Sequence, residues 1–192
     1  WHAACARSSG REAKAWPTLR SCSPLRSEAL ASGPPTPHAR VGLRSHRLAL
    51  RSNCLIAVTL GLLTGERAQR CVDTALHHLV VPGALRSLAP LPVTPHLPIH
   101  AAHGQLLNNP AEPYWGHYEG DEDTRRKPAY HNGTAWPWTF PIFCEALAVA
   151  WKFDPTSVSA AKHYLASMER LLNEGCLGQL PEITDGDAPH TQ

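Results

Sequence analysis

The chain has 192 residues, enough for one domain with a sizeable core. Its formal net charge of +2 hides an asymmetry: residues 1–50 carry eight Lys and Arg against two Asp and Glu, whereas residues 51–192 carry ten against fourteen. The apolar run from Cys54 to Leu63 is too short for a bilayer, which needs about 20 residues, and Glu66 and Arg67 follow it, so a soluble chain is expected.

Residues 1–47 are rich in Arg, Ser, Pro and Ala, with Gly33-Pro-Pro-Thr-Pro37 at their centre and no sustained period. Such a stretch buries too little apolar surface to offset its ordering entropy, and disorder is predicted. A basic arm for nucleic acid is the functional alternative. Because the chain opens on Trp1 rather than Met, the reading is that this stretch is not native to the domain after it, and no nucleic-acid partner is expected.

Order is predicted to begin near Leu48, and residues 48–192 are read as one domain. Cys54, Leu55, Val58, Leu62 and Leu63 recur at helical spacing, with Gly65 closing the helix. Glu66 to Leu79 predicts a second helix, giving an antiparallel hairpin. His77 and His78 point about 100° apart and suit a helix end better than a shared metal. Val80 to Pro128 is proline-rich and carries little period. Ile142, Phe143, Ala146, Leu147, Ala150 and Trp151 predict a third helix with one apolar stripe. Asp154-Pro155 is a restart signal, Asp as N-cap and Pro in the first helical position. The helix it opens carries Val158, Ala161, Leu165, Met168 and Leu172 on one face, with Gly175 at its close. The plan is all-α, with the polar motifs in loops.

Six cysteines, Cys5, Cys22, Cys54, Cys71, Cys144 and Cys176, show neither Cys-x-x-Cys nor zinc-ligand spacing. They are read as small buried apolar residues of a reducing cytoplasm, and neither a metal nor a cofactor is expected.

Two dense polar runs stand out. Ala129 to Trp138 packs three aromatic rings, an imidazole, a carboxamide and a hydroxyl into one loop, and Leu180 to His190 supplies three carboxylates. Tyr130, Trp136 and Trp138 can stack on pyranose faces, and His131 and Asn132 can bond sugar hydroxyls. Core packing is the alternative for the tryptophans, and it is preferred for Trp151. Glycoside hydrolysis needs a proton donor and a second carboxylate on the opposite face of the sugar. Glu182, between Pro181 and Ile183, is the candidate for the second, in surroundings expected to desolvate it partly. Asp185 and Asp187 flank Gly186, whose positive φ would turn both toward one cavity, for binding or for fixing the loop. A solvated turn and a calcium site are the competing readings there.

The segments Tyr118-Glu-Gly-Asp121, Tyr130-His-Asn-Gly-Thr-Ala-Trp-Pro-Trp138 and Glu182-Ile-Thr-Asp-Gly-Asp-Ala-Pro-His190 resemble the carboxy-terminal part of the glycogen-debranching enzymes. The likeness is to their amylo-alpha-1,6-glucosidase domain and extends from Leu50 to Gln192. It implies the last third of a six-hairpin α/α barrel, with Val93 to Asn109 as an insertion. It also implies Glu182 as the base of an inverting reaction, Tyr118 at the site rim, and a branched α-glucan such as glycogen or limit dextrin as substrate. The family's general acid lies upstream in a Trp-Met-Asp context that this chain lacks, and the family continues past His190 into a closing helix. A fragment inactive by itself is therefore expected. A non-catalytic carbohydrate-binding module, or a glucoamylase or trehalase relative, remains as an alternative.

Overall fold

The computed structural model describes residues 49–174 and 178–191. The expectations for residues 1–47 and for Gly175 as a helix end lie outside them. The described residues are mainly helical, with a small antiparallel sheet that the all-α reading did not contain.

Helices α1 (Cys54–Thr59) and α2 (Gly65–His78) form the expected hairpin, burying Leu55 and Val58 of the first against Ala68, Val72 and Ala75 of the second. The apolar run outlasts α1. Gly61, at φ +69°, turns the chain, the Leu63 N–H donates to the Ala57 carbonyl at 2.9 Å, and Leu60 and Leu62 are left exposed. Gly65 opens the second helix rather than closing the first. His77 and His78 occupy the last turn of α2, where cationic groups meet the negative end of the helix dipole.

Helix α4 (Phe140–Ala150) packs against α1, α2 and α5 (Pro155–Ala166), and is buried nearly all round. The single stripe read from the sequence is therefore an internal helix, with Phe140, Phe143, Cys144, Ala148 and Ala150 all covered. Each fully buried Phe contributes about 1.5–3 kcal/mol of transfer free energy. Trp151 packs partly buried against the same core.

Asp154 caps α5 as expected, its carboxylate accepting from the Thr156 and Ser157 N–H groups at 2.9 and 3.2 Å, with Pro155 next in the chain. The buried face differs from the predicted one: Ser157, Ala161, Met168 and Leu171 are covered, while Leu165 is 45% exposed. The α-helix stops at Ala166 and continues as a 3-10 turn over Ser167–Asn173. That change from 3.6 to about three residues per turn brings Leu171 inward instead of Leu172. Leu165, Leu172 and Leu180 line an open groove with Lys162, Met168 and Glu169.

Among the described residues the cysteines Cys54, Cys71 and Cys144 are free thiols, and Cys144 is buried. Cys54 and Cys71 meet between α1 and α2, the Cys71 Sγ lying 3.8 Å from the Cys54 carbonyl. A hydrogen bond from Cys54 holds the Cys71 thiol pKa down to about 7. No described helix is long and apolar enough to cross a membrane.

The sheet has the order β1 (Val80–Val81), β2 (Ala84–Arg86), β3 (Ala135–Trp136), antiparallel throughout. Pro82 and Gly83 make the β1–β2 turn, Val81 facing Ala84, and Leu85 then pairs with Trp136. Ala135 pairs in turn with Thr184, each N–H donating to the other's carbonyl at 2.9 Å. This ladder carries the C-terminal polar run to the aromatic loop. Residues 93–109 hold no helix or regular strand, in keeping with their lack of period, but fold back on themselves. His100 pairs with Leu106, the Leu107 N–H donates to the Ile99 carbonyl at 2.8 Å, and Asn108 bonds both Ile99 and Leu97.

Residues 121–127, within the stretch that carries little period, form a π-helical turn over Glu122–Arg126 that leads into α3 (Lys127–Tyr130). Asp121 caps it through the N–H groups of Asp123 and Thr124, and Glu122–Arg126 and Asp123–Lys127 pair at helical spacing.

Candidate functional site

Tyr130 ends α3, shortly before β3, and Glu182 lies two residues before the Thr184 that pairs with β3. The ladder therefore brings together side chains 52 positions apart: the Tyr130 hydroxyl donates to Glu182 Oε1 at 2.7 Å. That hydrogen bond, with desolvation and the carboxylate charge behind it, raises the Tyr130 phenol above its ordinary value. Glu182 itself is exposed, so Pro181 and Ile183 do not supply the partial desolvation expected of them.

The Tyr130 ring is the hub of an aromatic cluster. Trp136 and His131 meet it edge-on, with centroids 4.6 and 4.8 Å away, and Tyr118 lies tilted at 5.7 Å. His131 stacks on Trp136, nearly parallel, at 5.4 Å. One face of the Trp136 indole is thus covered, and its Nε1–H donates to the Tyr130 carbonyl at 3.1 Å. Trp138 lies outside this contact set and is 59% exposed, free to offer a flat face. The Arg126 guanidinium sits 6.0 Å over the Tyr118 ring.

Asn132 holds the loop. Its carboxamide donates to the Pro128 carbonyl at 2.7 Å and accepts from Arg51 Nη2 at 3.0 Å. Arg51 also donates to the carbonyls of His131 and Ser87. Burial pushes this guanidinium below its ordinary range. Sequence reasoning passed over Arg51, which looks like one more charge beside the basic stretch that precedes it.

Asp185 and Asp187 are engaged by neighbouring protein groups. Asp185 accepts from the Tyr118 N–H at 2.8 Å, the Thr191 hydroxyl at 3.0 Å and the His117 ring at 3.1 Å. Asp187 accepts from the Tyr114 hydroxyl at 2.7 Å and lies 3.9 Å from His117 Nε2. Desolvation, then the bond to Asp187, raises the Tyr114 phenol. Tyr114 and His117 were not singled out in the sequence, because nothing in their spacing announces a partner some seventy residues later. The described residues contain no grouping of three or more side chains suited to a metal ion.

Glycine is required where these strands cross. A Cβ on Gly133 would run into the Trp115 carbonyl, and one on Gly186 into the Gly133 carbonyl. Gly133 sits at φ +156°, and Gly186 donates to the Gly116 carbonyl at 2.7 Å while accepting from Arg86 Nε at 2.8 Å. Gly186 thus serves close backbone approach and not the positive φ expected for it.

Comparison with known families matches residues 105–192 to the amylo-alpha-1,6-glucosidase family. No curated protein and no solved structure matches the chain. The matched span holds the ring cluster, Glu182, Asp185 and Asp187, and leaves out α1, α2 and the first two strands. Over residues 105–192, somewhat less than half of its length, the chain is therefore similar to the amylo-alpha-1,6-glucosidase family.

Proposed function

We propose that the chain is the carboxy-terminal part of a glycoside hydrolase that removes α-1,6-linked glucose stubs from glycogen-like glucans by inversion. Glu182 is the general base, taking a proton from the attacking water. The general acid comes from residues beyond this chain, since no Trp-Met-Asp motif occurs in it. The observation that carries the reading is the 2.7 Å bond from the Tyr130 hydroxyl to Glu182, which sets a carboxylate at the edge of an aromatic cluster.

An inverting base acts on the face of the sugar away from the donor acid, so it must be fixed in direction yet reachable by water. An exposed carboxylate held by one phenol meets both needs. Trp138 and the Tyr118 and Tyr130 rings offer apolar faces for the pyranose C–H groups. His131 presents its ring at the same edge. Asn132, Asp185 and Asp187 hold the surrounding loops in place.

The α1–α2 and α4–α5 pairs are proposed as hairpins of an α/α barrel within a domain that starts near residue 48, with 93–109 as an inserted arm. Free thiols at Cys54, Cys71 and Cys144 fit a cytoplasmic enzyme. No membrane or nucleic-acid partner is proposed.

The test uses a polypeptide that continues upstream through the acid. Glu182→Gln is expected to lower turnover of a branched limit dextrin by about 10²–10⁴-fold while dextrin affinity survives, the scale of losing a general base. Retained turnover rejects the assignment. A non-catalytic carbohydrate-binding module is the second reading, favoured by the engagement of Asp185 and Asp187 with protein groups, which leaves Glu182 as the carboxylate at the rings. It requires dextrin binding with no turnover even when the upstream residues are present.

A further inference from the structure

We propose that His117 is a positioning residue. Its imidazolium form clamps Asp185 and Asp187, and so holds the Glu182 segment against the aromatic loop; the clamp loosens when the ring becomes neutral. The link to glucan recognition rests on the roles proposed for Glu182 and Tyr130.

The ring lies between two carboxylates of one short segment, Nδ1 at 3.1 Å from Asp185 Oδ2 and Nε2 at 3.9 Å from Asp187 Oδ2. A neutral imidazole carries one N–H and can serve one of them; only the imidazolium presents an N–H toward both. Asp185 has other donors, the Tyr118 N–H and the Thr191 hydroxyl. Asp187 has the Tyr114 hydroxyl on Oδ1, and its Oδ2 faces His117. Without the second proton that oxygen faces a nitrogen lone pair, and two carboxylates of one loop lose the cation between them.

The charged and titratable groups around the ring favour its cationic form. Asp185, Asp187 and Glu119 surround it with negative charge. Arg86 is engaged elsewhere, over the Tyr114 ring and on the Gly186 and His78 carbonyls. His190 contacts the Asp185 carbonyl rather than the imidazole. The hydrogen bond to Asp185 raises the His117 pKa, against a smaller desolvation effect and with the three carboxylate charges reinforcing it. The ring is 44% exposed, so it exchanges protons with solvent directly. A folded-state pKa above the unfolded value gives a contribution fully present below the unfolded pKa and lost as pH rises through the folded one.

The clamp is contiguous with the site. Asp185 follows the Thr184 that pairs with Ala135, and Glu182 lies two residues before Thr184. On the other side, Tyr118 follows His117, donates its N–H to Asp185 and sets its ring against Tyr130.

Amide exchange of residues 184–191 in the full chain, corrected for intrinsic rate, tests this between about pH 5 and about pH 9, across the histidine range. Protection is expected to fall as His117 titrates, by about tenfold for each unit by which its pKa exceeds the free value. His117→Gln should give low protection with no such step. Asp187→Asn, which keeps a partner for Tyr114 but removes the charge facing Nε2, should move the step to lower pH. A flat wild-type profile, a step that survives His117→Gln, or a step unmoved by Asp187→Asn overturns the clamp. Adding limit dextrin separates the two readings. A step with no dextrin binding at any pH keeps the clamp and rejects the glucan site. Dextrin binding that ignores the step keeps the glucan site and overturns the coupling.

Discussion

The four helices α1, α2, α4 and α5 and the loops around β3 are held by opposite means. In the helical part, fully buried Phe140, Phe143, Leu55, Leu79 and Val72 meet with few polar atoms between them. Around β3 the small side chains of Thr134, Ala135 and Thr184 are buried but Tyr118, Tyr130, Trp136 and Asp185 are only partly covered, and order comes from hydrogen bonds and from backbone in direct contact with backbone at Gly133 and Gly186. Apolar burial tolerates small shifts because it is non-directional, whereas a phenol on a carboxylate is made or broken by a fraction of an ångström. The difference teaches where each kind of damage should appear.

The largest effect belongs to the helical part. Phe143→Ala is expected to cost about 3–5 kcal/mol, as for other buried aromatic truncations. In urea, helical circular dichroism and tryptophan fluorescence should be lost together, because Leu85 of β2 is buried in the helical core while pairing with Trp136 of β3. Two separate transitions would mean that the helices and the β3 loops are two folding units.

Gly133→Ala should fall in between, at about 1–3 kcal/mol, the scale of a strained backbone position. Its Cβ meets the Trp115 carbonyl, so the loop must shift. Amide protection around 115–118 and 184–186 is expected to drop while protection in α4 is kept. Equal loss in both places would erase the contrast.

Tyr130→Phe is expected to leave the unfolding midpoint unchanged, because the hydroxyl bonds an exposed carboxylate. In a polypeptide that includes the proposed upstream acid, kcat should fall about tenfold with little change in KM, the scale of losing one hydrogen bond that orients the proposed base. A midpoint shift with no change in kcat would reassign that bond from function to stability.

Much of this was legible from local pattern. The α1–α2 hairpin, the Asp154-Pro155 start of α5 and the density of rings in 129–138 each follow from neighbouring residues, through side-chain periodicity, a carboxylate facing free N–H groups, and residue chemistry. The sheet was not, because strands of two or three residues are too short to alternate; Val80-Val81-Pro-Gly was its one local sign. Nor was the buried face of α5, since a switch from α to 3-10 winding leaves no mark on an apolar stripe.

The chain's own order of residues thus determined which segments coil and which side chains carry sugar-compatible chemistry. Only the tertiary structure decided which of them meet. It put Glu182 on Tyr130, Arg51 under the His131–Asn132 loop, Cys54 beside Cys71, and His117 between two aspartates. The Glu182 and His117 pairings depend on the Ala135–Thr184 ladder and on glycines thin enough to let backbones touch, and neither leaves a periodic trace in sequence. Local propensity acts over a few residues, whereas long-range contacts are selected by what can pack once the core has formed.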